Sequence, residues 1–144
     1  MPSAVDLLSG DHRRVEELYE QHEAQPSRAL AARIGDELVL HSMLEETVLY
    51  PTVREQLADG PSLADRAEAE HASIKALVAE LEGSADAAVP EILAELMALV
   101  RRHVEEEERV LLPALAERLD AERDEVMGRV LAQLRAENEA RLRT

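Results

Sequence analysis

The sequence predicts an all-α protein: an up-down four-helix bundle with an additional C-terminal helix, in a single domain over residues 1–144. Three observations carry this reading. Ala, Leu, Val, Glu and Arg dominate a chain that is 46% apolar and 1% aromatic, a composition that favours helix over strand. Apolar residues recur at helical spacing in several stretches separated by Gly, Pro and Ser. One eleven-residue phrase is also written twice, from His41 to Pro51 and from His103 to Pro113. A chain near this length buries about 70% of its unfolded surface, enough for a substantial core.

The elements follow in order. Residues 3 to 9 read as a short leading turn broken at Ser9-Gly10, with Asp11 as N-cap of a first helix that runs to about His22. Val15, Leu18 and Tyr19 continue the face begun by His12, so Tyr19 is a pocket or core residue. Pro26-Ser27 marks a break, and a second helix from about Arg28 carries Ala31, Ile34, Leu38, His41 and Glu45 inward. Pro51 removes a backbone donor, so that helix kinks or ends there, and Asp59-Gly60-Pro61 stops any continuation. A third helix starts between Ser62 and Asp65 and runs to about Glu82, burying Ala67, His71, Ile74, Leu77, Val78 and Leu81. The fourth begins near Pro90 and carries Ile92, Leu93, Leu96, Leu99, Val100, His103 and Glu107. Pro113 repeats the interruption, and the bundle closes near residue 119. A fifth segment, about 121–141, presents Val126, Met127, Val130, Leu131 and Leu134 to cover the bundle or to meet another subunit.

Both phrases read His-x-x-x-Glu-Glu-x-Val-Leu-x-Pro. Residues four apart on a helix are separated by about 40° in azimuth and about 6 Å in rise. Each phrase therefore sends one imidazole and one carboxylate toward the same place. A second echo pairs Asp11-His12 with Glu70-His71, so one His lies inside the apolar period of each bundle helix. Four buried imidazoles and two buried carboxylates without partners cost several kcal/mol per charge, and metal ions remove that cost. The spacing also separates this chain from ferritin-like carboxylate bundles, which use Glu-x-x-His, and from zinc proteases with His-Glu-x-x-His.

Charge and composition exclude other classes. The formal net charge of -15 opposes binding to nucleic acid and to anionic membranes. Most of these carboxylates are expected on solvated helix faces. No stretch reaches the roughly 20 apolar residues of a membrane span, and no secretory signal opens the chain, so a soluble cytoplasmic protein is expected. With no cysteine there are no disulfides, thiolate ligands or Cys nucleophile.

On these motifs the chain resembles the hemerythrin-like (HHE cation-binding) domains over about Asp11 to Leu115. The resemblance implies a four-helix bundle around two iron ions in an oxo- or hydroxo-bridged centre. It implies His12, His41, Glu45, His71, His103 and Glu107 as ligands, with both carboxylates bridging. Respiratory members use an acid five residues after the last His, but alignment with the first phrase selects Glu107 over Glu106 and Glu108. Oxygen-carrying members present His-x-x-x-His on the third helix, whereas here the residue four after His71 is Lys75. An ammonium has no lone pair for a metal, so water, hydroxide or another side chain must fill that position. Two six-coordinate ions need roughly twelve donor positions; the residues named and one bridging oxygen supply about ten, leaving about two open.

Tyr50 is a further candidate, as ligand or as a group close to the ions. Its ideal azimuth lies about 180° from His41, which argues against it, although a distortion before Pro51 changes the angle. Its counterpart in the second phrase is Leu112. Glu46 and Glu108 fall about 100° further round and are expected to be solvated or to back up the ligands. His22 is expected as an exposed histidine near a helix C-terminus. The expected function is cytoplasmic binding or sensing of oxygen, peroxide or nitric oxide. Alternatives are a di-iron catalase or peroxidase, an iron buffer, and an interaction module stapled by zinc. The expected partner is a small diatomic ligand or peroxide, with the chain a monomer or homodimer.

Overall fold

The computed structural model of the chain describes residues 3–142. It is all-α: α1 (Ala4–Ala24), α2 (Arg28–Leu44), α3 (Tyr50–Gln56), α4 (Gly60–Glu82), α5 (Val89–Glu106), α6 (Leu112–Arg118) and α7 (Ala121–Leu142). Two π-helical segments, Glu45–Leu49 and Glu107–Leu111, join α2 to α3 and α5 to α6, so each pair forms one long rod. The rods made by α1, α2–α3, α4 and α5–α6 form the bundle. Helix α7 packs back across α1 and α2.

The first helix does not break where expected. Ser3 caps α1 by accepting from the Asp6 N–H at 3.0 Å, and the helix runs unbroken through Ser9 and Gly10. Burial of Ala4 and Leu8 against the core offsets the roughly 1 kcal/mol that an interior glycine costs. Asp11 is therefore not a cap, and its carboxylate is free for another task. The second rod ends at Gln56, before Asp59-Gly60-Pro61 as expected, but α4 begins earlier than the expected start between Ser62 and Asp65, at Gly60. A Cβ there would lie 2.1 Å from the Val53 carbonyl oxygen, so only glycine permits this approach of α4 to the end of α3.

Helix α7 also differs from expectation. Met127, Leu131 and Arg135 are buried, while Val126 and Val130 are 44% and 43% exposed. The two pairs lie about 100° apart on the helix, and packing against α1 and α2 selects the first.

The apolar interior is divided into two clusters. One holds Ala4, Leu8, Leu44, Ala67 and Leu111; the other holds Val15, Leu38, Ile74 and Val100. On each rod the histidine lies between a residue of one cluster and a residue of the other. A polar layer is thus enclosed by hydrocarbon on both sides.

Candidate metal centre

The backbone prepares this layer at the two prolines. An interior proline removes an i→i−4 hydrogen bond and crowds the carbonyl four residues back, and a wider turn relieves both. In the first phrase the Tyr50 N–H reaches the Glu45 carbonyl, five residues back. In the second, the Leu112 N–H reaches the Glu107 carbonyl in the same way. One inserted residue retards the helix by roughly 100°, so Tyr50 moves from about 180° to about 80° from His41. That is the face on which Glu45 stands. The distortion needed to turn Tyr50 inward is present.

The six expected side chains converge, all of them buried. His12 Nε2 lies 3.0 Å from His41 Nε2, and His71 Nε2 lies 3.1 Å from His103 Nε2. Glu45 places Oε2 3.2 Å from His41 Nε2 and Oε1 3.0 Å from His71 Nε2. Glu107 places Oε1 3.2 Å from His12 Nε2 and Oε2 3.2 Å from His103 Nε2. Each carboxylate thus offers one oxygen to each half of the site. The result is two overlapping groups, His12–His41–Glu45–Glu107 and Glu45–His71–His103–Glu107, each with its donor atoms within 4.8 Å of one another.

The Tyr50 Oη belongs to the second group. It lies 3.0 Å from His71 Nε2, 3.5 Å from His103 Nε2, 3.2 Å from Glu45 Oε1 and 3.1 Å from Glu107 Oε2. Lys75, four residues after His71, turns outward to pair with Glu46 at 2.8 Å.

Outer carboxylates orient the rings. Asp11 Oδ2 accepts from His41 Nδ1 at 3.0 Å, and Glu70 Oε1 accepts from His103 Nδ1 at 2.9 Å. Those bonds fix the proton on Nδ1 of the neutral ring and leave a bare Nε2 lone pair facing inward. Glu108 and Glu46 stand further off, 3.6 Å from His12 Nδ1 and 3.5 Å from His71 Nδ1. Of the two roles expected for these carboxylates, solvated or backing up the ligands, their approach to the His12 and His71 rings fits the second. The acid-His echo had signalled a repeat. Its physical content is that the acid preceding each His points about 100° round its helix to the histidine of the neighbouring rod.

This donor set fits cations. Neutral imidazole lone pairs meet one another and carboxylate oxygens at hydrogen-bond distance, and Glu45 Oε2 and Glu107 Oε1 have no hydrogen-bond partner. The single Tyr50 proton faces four acceptors and satisfies at most one or two of them. Without metal, protons are drawn in. Burial opposes charge on His41, but Glu45, Asp11 and Glu107 outweigh it and push the imidazolium up to about 10. Burial likewise opposes charge on His103, yet Glu107 and Glu45 push it up to about 11. Glu45 is held well below the usual range, because the His41 charge and hydrogen bonds within the cluster overcome its burial. Burial and the two facing carboxylates raise the Tyr50 phenol and keep it protonated.

Two other expected positions sit elsewhere. His22 is buried rather than exposed: its Nδ1 accepts from the Ser27 N–H at 3.2 Å and ties the end of α1 to the start of α2. Tyr19 is half-buried at the core edge under the Arg101 guanidinium, 5.2 Å from the ring centre. Arg101 also lines a groove of about 580 Å³ between α1 and α5 that includes His12, Val100, Val104, Glu16, Glu105 and Glu108.

The hemerythrin HHE cation-binding domain family matches residues 3–115. The chain is 28% identical over 130 residues to an uncharacterized hemerythrin-like protein of Schizosaccharomyces pombe, covering 85% of this chain and 64% of that relative's length. No solved structure matches at a significant level. Among the described residues no helix is long and apolar enough to cross a membrane. With the family match spanning every histidine and carboxylate of the polar layer, the chain belongs to the hemerythrin HHE cation-binding family.

Proposed function

We propose that the chain holds two iron ions and uses them to bind or sense a small neutral oxidant or diatomic ligand: oxygen, hydrogen peroxide or nitric oxide. The observation that carries this is the division of Glu45 and Glu107 between the two halves, one oxygen to each. His12 and His41 would complete the first position, and His71, His103 and the Tyr50 oxygen would complete the second. When bound, the ions supply the redox and ligand-binding chemistry. The chain supplies orientation, a hydrocarbon surround and a place for protons to leave.

Tyr50 revises the donor count. It raises about ten donor positions to about eleven of roughly twelve, and it does so in the second half. The half with fewer donors is then the one that His12 and His41 would supply. The groove between α1 and α5 reaches that side, because His12 lines it. Along it Glu16, Glu17, Glu20, Glu105 and Glu108 outnumber Arg13 and Arg101. Such a field repels anions and leaves neutral molecules unhindered, which favours oxygen, peroxide and nitric oxide over superoxide.

The test is metal analysis with an absorption spectrum of aerobically purified protein. About two irons per chain are expected from the two donor groups, with near-ultraviolet charge transfer. A colourless protein carrying zinc overturns the reading. Peroxide added to the iron-loaded sample then separates roles. A stable spectral change without oxygen evolution supports binding or sensing, and sustained oxygen evolution assigns a catalase-type enzyme.

A further inference from the structure

We infer that Arg135, on the helix that lies outside the family match, is a positioning residue for His41 and makes the first metal position unlike the second. The inference rests on the two-metal reading above. Arg135 is 7% exposed, and its Nη2 lies 2.6 Å from Asp11 Oδ1. The other Asp11 oxygen accepts from His41 Nδ1 at 3.0 Å. A continuous chain of contacts thus runs from α7 through Asp11 to an inward-facing ring.

Docking alone does not explain a buried guanidinium. Met127, Leu131 and Leu134 already attach the same face of α7 to the core. A buried arginine carries a desolvation penalty that an apolar residue avoids. Its Nε has no hydrogen-bond partner. The remaining nitrogens serve three carboxylates: Asp11, Glu37 at 3.3 Å and Glu139 at 2.6 Å. Of these, Asp11 alone continues to the polar layer.

The other half lacks this device. His103 Nδ1 donates to Glu70, which is half-buried and has no cationic ion-pair partner except His103 among the described residues. The duplicated architecture therefore differs in its outer support. On one side a carboxylate is clamped between an imidazole and a guanidinium. On the other it is held by the imidazole alone.

The clamp has a mechanical consequence. Each Asp11 oxygen has its own principal partner, which fixes the carboxylate in position beside the His41 ring. Arg14, with a side chain 43% exposed, lies 3.5 Å from the same Oδ1 that Arg135 holds. Without Arg135, Arg14 draws Asp11 toward the surface, and His41 loses its fixed orientation. Removing an outer partner of a metal-ligating histidine lowers metal affinity by about 10–100-fold.

The experiment titrates the whole metal-free chain with cobalt(II) as probe, by calorimetry and visible absorption, with circular dichroism to verify folding. Two binding steps are expected for the unaltered protein. Arg135→Met is expected to weaken one step about tenfold and to leave the other unchanged. Arg135→Lys restores most of the loss. Glu70→Gln weakens the other step, and the double variant shows both effects together. Where Arg135→Met does not fold, Arg135→Gln keeps one donor toward Asp11 and is expected to show a smaller weakening of the same step. Unchanged steps in the folded Arg135 variants overturn the inference. So does equal weakening of both steps, or loss on the step that Glu70→Gln affects. If the unaltered protein takes up a single cobalt or none, the two-metal reading itself fails and the inference falls with it.

Discussion

Tyr50 brings one hydroxyl proton to a place where two imidazoles and two carboxylates meet. Tyr50→Phe keeps the ring and its packing and removes only the oxygen. Iron(III)-loaded Tyr50→Phe is expected to lose a visible phenolate-to-iron band while keeping its helical content; an unchanged spectrum refutes ligation. The histidines give a second prediction, about pH. His41 and His103 are raised from 6.5 to about 10 and about 11 in the folded, metal-free chain. Their contribution to stability is complete below the unfolded value and is lost as pH climbs through the folded ones. Glu45 is lowered from 4.5, so its contribution holds above that value and is lost on acidification. Metal-free protein is therefore expected to be most stable between about 4.5 and 6.5 and to melt at a lower temperature at pH 9 than at pH 6. Metal competes with the same protons, so metal affinity rises across that upper range and uptake near neutrality releases protons, a quantity read from calorimetry in buffers of different ionisation enthalpy. Four of the six convergent side chains were legible because an i,i+4 spacing fixes direction on any regular helix, and His12 and His71 because each lies inside the apolar period of its own helix. The inward turn of Tyr50 was not, since it depends on how the backbone accommodates Pro51. The partners of Asp11 and Glu70 were hidden for a different reason: they lie on neighbouring rods, which a local pattern does not specify.

Among the elements, α1 and α4 make opposite use of glycine. At Gly10 an added Cβ meets only the end of the Arg13 side chain at 3.8 Å, and the backbone is helical. Gly10→Ala is expected to stabilise the chain by about 0.5–1 kcal/mol, measured by denaturant unfolding. Gly60→Ala is expected to destabilise it and to separate α4 from α3, because the Val53 carbonyl cannot yield to a methyl group. Local composition led to a break at both positions: packing of Ala4 and Leu8 against the core overrides it at Gly10, whereas the second rod does end at Gln56, and Gly60 then opens α4. Helix α7 was legible in extent but not in facing. Its buried residues include Gly128 and Arg135, so the apolar stripe is thin, and Val126 and Val130 compete with Met127 and Leu131 for the inside. The ion pair between Arg135 and Asp11 agrees with the observed choice.

Across the molecule, a layer of like-charged oxygens and facing lone pairs separates two apolar clusters. Metal ions that bind this layer only in the folded state stabilise the whole bundle. Metal at about a thousand times its dissociation constant is expected to add about 4 kcal/mol, seen as a rise in melting temperature that a chelator reverses. A melting temperature indifferent to metal argues against the layer as a binding site. The duplication was the most legible feature at this scale, since two copies of one phrase require two similar rods. Besides the Arg135 clamp, it departs from symmetry at one matched pair close to the site: Tyr50 and Leu112 both close a π turn, both are buried, and one carries a hydroxyl. Exchanging the two residues, Tyr50→Leu with Leu112→Tyr, is expected to carry the coloured phenolate across to the opposite ion and to seal the end that now faces the groove, leaving a protein of similar hue that no longer admits a guest from that side.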